Sequence, residues 1–353
     1  MLIGICGSLC AGKSTVAQYL VEHHGFKQLR ISESLKESVK VEGQDGVNGT
    51  SMREQTGVTL NGKLLEFPTE TDLLDFVTKR WRDRFVTLVE DANLLDILAK
   101  RPFFLLISVD APLTVRWERH QKRQKEDTVQ EDLAAFVQRS DEHLYDAASG
   151  HMALMSRATV RLLNTSSSVA HLFATLGKVD LPNEDRLRPT WDAYFMSLAS
   201  LAAQRSNCMK RRVGCVLIRE KRVVSTGYNG TPRGLLNCGE GGCGRCNEGL
   251  SSGVGLATCL CLHAEENALL EAGRDRIRDG SILYCDTCPC LTCSIKIAQV
   301  GISEVVYSQG YSMDTDTAAV LREAGVKLRQ FVPVSDISCL FISRNVGIPA
   351  NQL

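Results

Sequence analysis

Aromatic residues make up only 6% of this 353-residue chain, and its 41 lysines and arginines are matched by 41 aspartates and glutamates. The first shortage leaves little material for stacking unpaired bases. The second removes the basic field with which polymer-binding proteins gather phosphates, so no nucleic-acid polymer is expected as a partner. No apolar run approaches the roughly 18 residues of a membrane span. Leu2-Ile-Gly-Ile-Cys6 reads directly as a buried strand, so no signal peptide is expected. Internal repeats and low-complexity tracts are also lacking. Of seven histidines, only His263 lies beyond His171.

What is present suits a two-domain α/β enzyme. A chain of 38.8 kDa with 44% hydrophobic residues exceeds most single domains and can fill sizeable cores. Twelve of the fourteen cysteines lie after residue 200, clustered rather than spread as paired staples, which points to metal in a reducing compartment, cytoplasm or nucleus. The charged, proline-bounded stretch Leu181 to Pro189 divides two patterned regions. The expected domains are therefore 1–178, a linker 179–188, and 189–353.

The strongest chemical signal is His263-Ala-Glu265 with Pro289-Cys290-Leu-Thr-Cys293. One imidazole and two thiolates occupy three corners of a zinc tetrahedron and leave the fourth for water. Both halves read as helix starts, with apolar residues at helical spacing around His263 and a proline suited to the first turn before Cys290. Glu265 lies two residues from the histidine, so it can stay off the metal and shuttle protons between water, ring nitrogen and departing ammonia. This is the pattern of zinc-dependent nucleobase deaminases. A structural zinc knuckle, or a histidine and two core cysteines that never meet, is the competing interpretation.

Near the N-terminus, the strand runs into Gly7-Ser-Leu-Cys-Ala-Gly12-Lys13-Ser14 and then a helix-forming stretch. Such a loop turns backbone N–H groups toward phosphates, adds the Lys13 charge and offers the Ser14 hydroxyl to Mg2+; ATP is the natural candidate ligand. Two further strands are expected at Arg84–Asp91 and Pro102–Asp110, the first ending in acids suited to a metal shell. The arginines of Val115–Arg123 and the Leu163-Asn164-Thr-Ser run resemble the lid and base-side loop of adenylate-kinase-like nucleoside monophosphate kinases. A solvated helix face is equally consistent with those arginines, and Arg30 is the one guess at a substrate clamp.

After the linker the pattern is helix, hairpin, zinc helix, strand, zinc helix, strand, the three-layer α/β/α architecture of cytidine deaminases. The stretch from Arg188 to about Phe331 carries Trp191-Asp192, Gly227-Tyr228-Asn229-Gly230, His263 to Ala268, Pro289 to Cys293 and Val305-Val-Tyr307. In these motifs it resembles the deoxycytidylate (dCMP) deaminase family, and most closely the fungal form with a kinase-like segment in front. The resemblance implies conversion of dCMP to dUMP, Mg2+-assisted activation by dCTP, inhibition by dTTP, and a homohexamer. It also implies that Tyr228, Asn229 and Gly230 line substrate and effector sites. Asn229 would meet sugar or base and Tyr228 the regulatory nucleotide, although a plain turn explains the glycines as well. Lys210, Arg211 and Arg212 are placed to meet phosphate or to form a solvated run. Tyr307 and Tyr311 either stack on a base or pack in the core.

A second zinc site is expected in the glycine-rich insertion, where Cys238, Cys243, Cys246, Cys259 and Cys261 offer five thiols among too few apolar residues to fold unaided. Cys238, Cys243 and Cys246 are favoured, with Cys208 or Cys261 as the fourth ligand. Cys285 and Cys288 read as packed thiols. Two other functions compete with the free-nucleotide enzyme: deamination of cytosine or adenine within a polynucleotide, and a nucleotide kinase whose zinc half only senses ligand.

Overall fold

The computed structural model describes residues 1–32, 58–60, 64–124, 131–251, 254–310, 315–332 and 340–342. It divides into two units, Met1–Arg188 with Ile337–Leu353, and Pro189–Asp336.

In the first unit, β1 (Leu2–Gly7) is buried at every position, as a central parallel strand covered on both faces must be. It leads through the glycine loop into α1 (Lys13–His24), followed by β2 (Lys27–Ile31), β3 (Val58–Leu60), β4 (Leu64–Phe67), α2 (Glu70–Lys79) and β5 (Phe85–Leu88). Then come α3 (Ala92–Leu98), β6 (Phe104–Asp110), α4 (Leu113–Gln121), α5 (Leu133–Tyr145), α6 (His151–Ser156), β7 (Val160–Asn164) and α7 (Val169–Val179). The sheet order is β13-β7-β6-β1-β5-β2-β4-β3, where β13 is Leu340–Ile342 and only β3 runs antiparallel to its neighbour. The expected strands at 84–91 and 102–110 thus exist, as β5 and β6.

Two expected boundaries change. The stretch taken as a linker is anchored: Leu181 is fully buried in the first unit's core, and Leu187 packs against the same cluster. These two leucines outweigh the surrounding charges. The C-terminal end expected in 189–353 instead returns β13 to the first sheet, parallel to β7, with Leu340 opposite Leu162.

The second unit begins with α8 (Trp191–Ala203), capped by the Thr190 hydroxyl, which accepts from the Ala193 amide at 3.2 Å. The hairpin β8 (Gly214–Arg219) and β9 (Arg222–Tyr228) turns at Glu220 and Lys221, both at positive φ as a tight two-residue hairpin requires. There follow α9 (Gly244–Asn247), α10 (Ala264–Ala272), β10 (Ile282–Thr287), α11 (Leu291–Val300), β11 (Glu304–Gln309), α12 (Thr315–Glu323) and β12 (Lys327–Gln330). The sheet runs β12-β11-β10-β8-β9, with β10, β11 and β12 parallel and β8 antiparallel to both its neighbours.

Alternation along β8 assigns the layers. Val216 and Ile218 face Phe195, Met196 and Ala199 of α8, while Cys215 and Leu217 face Ala264 and Ala268 of α10 and Cys293 and Ile297 of α11. This is the expected three-layer α/β/α sandwich, with both zinc helices on one face. Asp192 ties α8 to the sheet, accepting from the Tyr284 hydroxyl at 2.7 Å and from Arg329 at 2.7 and 3.0 Å. Hydrogen bonding from Arg329 holds the Asp192 carboxyl below its usual range. Arg329→Ala is expected to cost about 2 kcal/mol, seen as a lower urea midpoint at unchanged slope.

Candidate metal centre

His263 and Cys290 are the N-cap residues of α10 and α11, so each sits where unpaired helix N–H groups favour negative charge. The sulfurs of Cys290 and Cys293 both lie 3.3 Å from His263 Nδ1, and all three ligand atoms fall within 4.8 Å of one another. Zinc bond lengths to nitrogen and sulfur imply a tetrahedral edge of roughly 3.5 Å, so the three atoms fit one zinc ion. Hydrogen bonding from Cys293, and after it from His263, holds the Cys290 thiol down at about 3, which favours the thiolate a metal needs. His263, Cys290 and Cys293 are thus brought together from residues up to 30 apart in sequence.

Glu265, in the first turn of α10, is 4% exposed, and burial pushes its carboxyl up to about 7. It shares a helix turn with His263 and does not join the ligand trio. The next residue, Glu266, pairs with Lys296 of α11 at 2.6 Å and braces the two zinc helices.

Each residue of the Gly227–Gly230 segment makes close structural contacts. A Cβ on Gly227 would lie 2.1 Å from the Ala264 carbonyl oxygen, so β9 can approach α10 this closely only through glycine. Tyr228 holds the same helix through its carbonyl, which accepts from Asn267 Nδ2 at 2.8 Å. Gly230 exchanges two backbone hydrogen bonds with Leu262, the residue before His263. The Asn229 amide accepts from Ser206 Oγ and the Val213 amide and donates to the Arg211 carbonyl, which uses three of its four hydrogen-bonding positions on the 206–213 loop. Tyr307 is buried in β11, and burial raises its hydroxyl pKa. Tyr311 lies outside the described residues.

Lys210, Arg211 and the exposed Arg212 line a cavity of about 420 Å3 with Ser206, Asn207 and Glu240. The basic run therefore gathers on one concave surface. Cys285 and Cys288 are buried and belong to no ligand cluster among the described residues, as expected of packed thiols.

The insertion brings more sulfur together than the favoured quartet. Two overlapping groups form, Cys208, Cys238, Cys246 and Cys261, and Cys243, Cys246, Cys259 and Cys261. The expected trio of Cys238, Cys243 and Cys246 falls in neither group as a whole, because Cys238 and Cys243 lie on opposite sides. Cys259, outside the favoured ligands, joins Cys243, Cys246 and Cys261. Its spacing two residues before Cys261, which places both sulfurs on one side of an extended segment, was the available signal.

In the first unit, Gly12 caps α1 at φ +108°, and Lys13 Nζ donates to the carbonyls of Gly7 and Ser8 at 2.9 and 3.1 Å, while Ser14 is exposed in the first turn. Gly7, Gly12, Lys13 and Ser14 therefore form the expected loop. The arginines of α4 differ from a lid. Arg116 is buried and donates to the Ala111 carbonyl and Ser140, and Arg119 bonds the carbonyls of Ala11 and Ser166. Asn164 Nδ2 also donates to Ala11, so these residues brace the loop from below. Asp91, one of the acids expected near a metal, caps α3 by accepting from the Leu94 amide at 2.7 Å. Arg30 is exposed on β2.

Residues 189–309 match the family model for the cytidine and deoxycytidylate deaminase zinc-binding region, and residues 3–141 match an AAA domain. The chain is 49% identical to the deoxycytidylate deaminase of Schizosaccharomyces pombe over 94% of its own length and 97% of that protein. To the Saccharomyces cerevisiae deoxycytidylate deaminase it is 43% identical over 94% of its length and 96% of the relative. The human deoxycytidylate deaminase is 33% identical across 40% of this chain and 80% of its own length.

Proposed function

Because the chain belongs to the deoxycytidylate deaminase family, we propose that its second unit hydrolyses dCMP to dUMP and ammonia with Glu265 as proton carrier. The observation that carries this reading is the meeting of His263, Cys290 and Cys293 at two helix starts, with buried Glu265 in the same helix turn as His263. When bound there, zinc supplies a Lewis acid that makes water nucleophilic near neutral pH. Glu265 takes one proton from water as its oxygen bonds to C4 and delivers it to the pyrimidine ring nitrogen, then takes the remaining proton from the new C4 hydroxyl and passes it to the amino group as the C4–N bond breaks. Its elevated affinity for protons in a buried setting suits a group that must both accept and donate. The net reaction exchanges the 4-amino group for an oxygen from water and releases ammonia.

The 5′-phosphate of the substrate or a nucleotide effector is assigned to the basic cavity of Lys210, Arg211 and Arg212. Activation by dCTP with Mg2+, inhibition by dTTP and a homohexamer complete the reading, together with cytoplasmic or nuclear placement. A structural zinc in the cysteine-rich insertion would order the loop that carries this cavity, because Cys208 lies two residues before Lys210. In the first unit the loop Gly7–Ser14 is assigned to a nucleoside triphosphate such as ATP.

Purified, zinc-replete protein is expected to form dUMP from dCMP, faster with dCTP and Mg2+ present. Absence of turnover under both conditions, with a cytidine-containing single strand deaminated instead, would overturn the free-nucleotide reading. Lys13→Ala is expected to abolish ATP binding, measured calorimetrically, and to leave basal deamination within twofold.

A further inference from the structure

We propose that the insertion holds two zinc ions rather than one, bound by six cysteines, with the sulfurs of Cys246 and Cys261 bridging the pair. This deepens the structural-zinc reading above and rests on it.

The two sulfur quartets share Cys246 and Cys261, and within each all four sulfurs lie within 4.8 Å of one another. Cys246 lies 3.8 Å from Cys208, 3.9 Å from Cys259 and 3.9 Å from Cys261, while Cys243 lies 3.9 Å from Cys259. A tetrahedral zinc with sulfur bonds of 2.3 Å has edges of about 3.8 Å. A disulfide would instead draw two sulfurs to about 2.05 Å. The spacing is thus that of neighbouring ligands. Because Cys246 touches a member of each outer pair, the edge it forms with Cys261 is common to both tetrahedra. A single zinc would leave either Cys208 and Cys238 or Cys243 and Cys259 crowded together without a metal.

The surroundings fit an anionic cluster. The buried core here is made of Cys238, Cys243, Cys246 and Cys261, with Cys208 and Cys259 packed against it and no hydrocarbon side chain among the described residues. Among the described residues its only α-helix is the four-residue α9, far too short to persist unaided. Each outer pair receives a backbone amide: Met209 N–H donates to Cys238 and Leu260 N–H to Cys243, both at 3.4 Å. Six thiolates around two Zn2+ leave two negative charges. Arg245 is 7% exposed and points Nη1 at the Cys259 sulfur, 3.8 Å away, so a buried cation already faces the group. Its Nε donates to the Val254 carbonyl at 2.8 Å.

Four separate segments meet at these sulfurs, and Cys261 is two residues from His263. The cluster therefore fastens both the basic loop and the segment that leads through Leu262 to His263.

Metal analysis of the full-length protein after removal of loosely bound ions is expected to give three zinc per chain. Replacement by cadmium-113 is expected to yield two all-sulfur NMR signals coupled to each other through shared sulfur. Cys259→Ser should lower the count to two and abolish the coupling. Two zinc per chain in the parent protein, with one uncoupled all-sulfur cadmium signal, would overturn the bridge and leave a single structural zinc. One zinc per chain would overturn the structural zinc as well.

Discussion

Glu265→Ala is expected to retain the parent's zinc content and to lose roughly 10^3-fold or more in kcat, the scale of a positioned general acid and base. His263, Cys290 and Cys293 supply the ligand atoms without help from Glu265, so its truncation leaves the metal trio intact. What disappears is the buried carboxyl whose pKa burial raises to about 7 and to which the proposed mechanism gives both proton transfers. The measurement is paired, zinc per chain and dUMP formation on the same sample. Activity within tenfold of the parent would remove Glu265 as carrier, and coincident loss of zinc would make it a structural support of the centre. Glu265→Gln is expected to behave like alanine, since an amide keeps the shape and cannot shuttle a proton.

Gly227→Ala should be nearly as damaging although it adds one methyl group and touches no ligand. The new carbon would stand 2.1 Å from the Ala264 carbonyl oxygen and 2.5 Å from the Ala268 amide nitrogen. Both are backbone atoms of α10, which no rotamer change can move aside. β9 and α10 must separate by about 1 Å, at a cost of about 3 kcal/mol for an overpacked core. Because Ala264 sits between His263 and Glu265, the shift carries ligand and proton carrier away from the cysteines of α11, for an expected loss near 10^2-fold in kcat/KM. Gly310, where an added Cβ meets nothing within 4 Å, is the control, and Gly310→Ala should leave both properties unchanged. Thermal unfolding and kinetics of the two variants decide the matter; parent-like values for Gly227→Ala would show that the strand and helix yield more easily than their backbone contact allows.

Features that local spacing announces differ in range from those it leaves open. β1, the loop after it and α1 are contiguous, so apolar continuity, glycines and a lysine declare them together. The zinc trio is split, yet each half carries its own local marker, a helix start with a ligand at the cap. Arg116 and Arg119 carry no such marker. A basic helix looks the same in a list of residues whether its guanidiniums face solvent or, as here, the carbonyls of Ala111, Ala11 and Ser166. Nor does the sequence show that the 206–213 loop takes three of the four hydrogen-bonding positions of the Asn229 amide.

The sequence by itself determined the two-unit α/β plan, the phosphate-type loop and the His263, Cys290 and Cys293 trio of the candidate metal centre, because each is written in short-range spacing that one helix or one turn obeys. Tertiary structure alone decided three things. Leu181 and Leu187 bind the supposed linker into the first core, and β13 pairs with β7 across more than 170 residues. Gly227 serves the approach of β9 to α10. The six cysteines divide into two groups about a common pair. Each depends on which distant surfaces meet, and contact between segments far apart in the chain is settled by packing and burial, which local spacing does not encode.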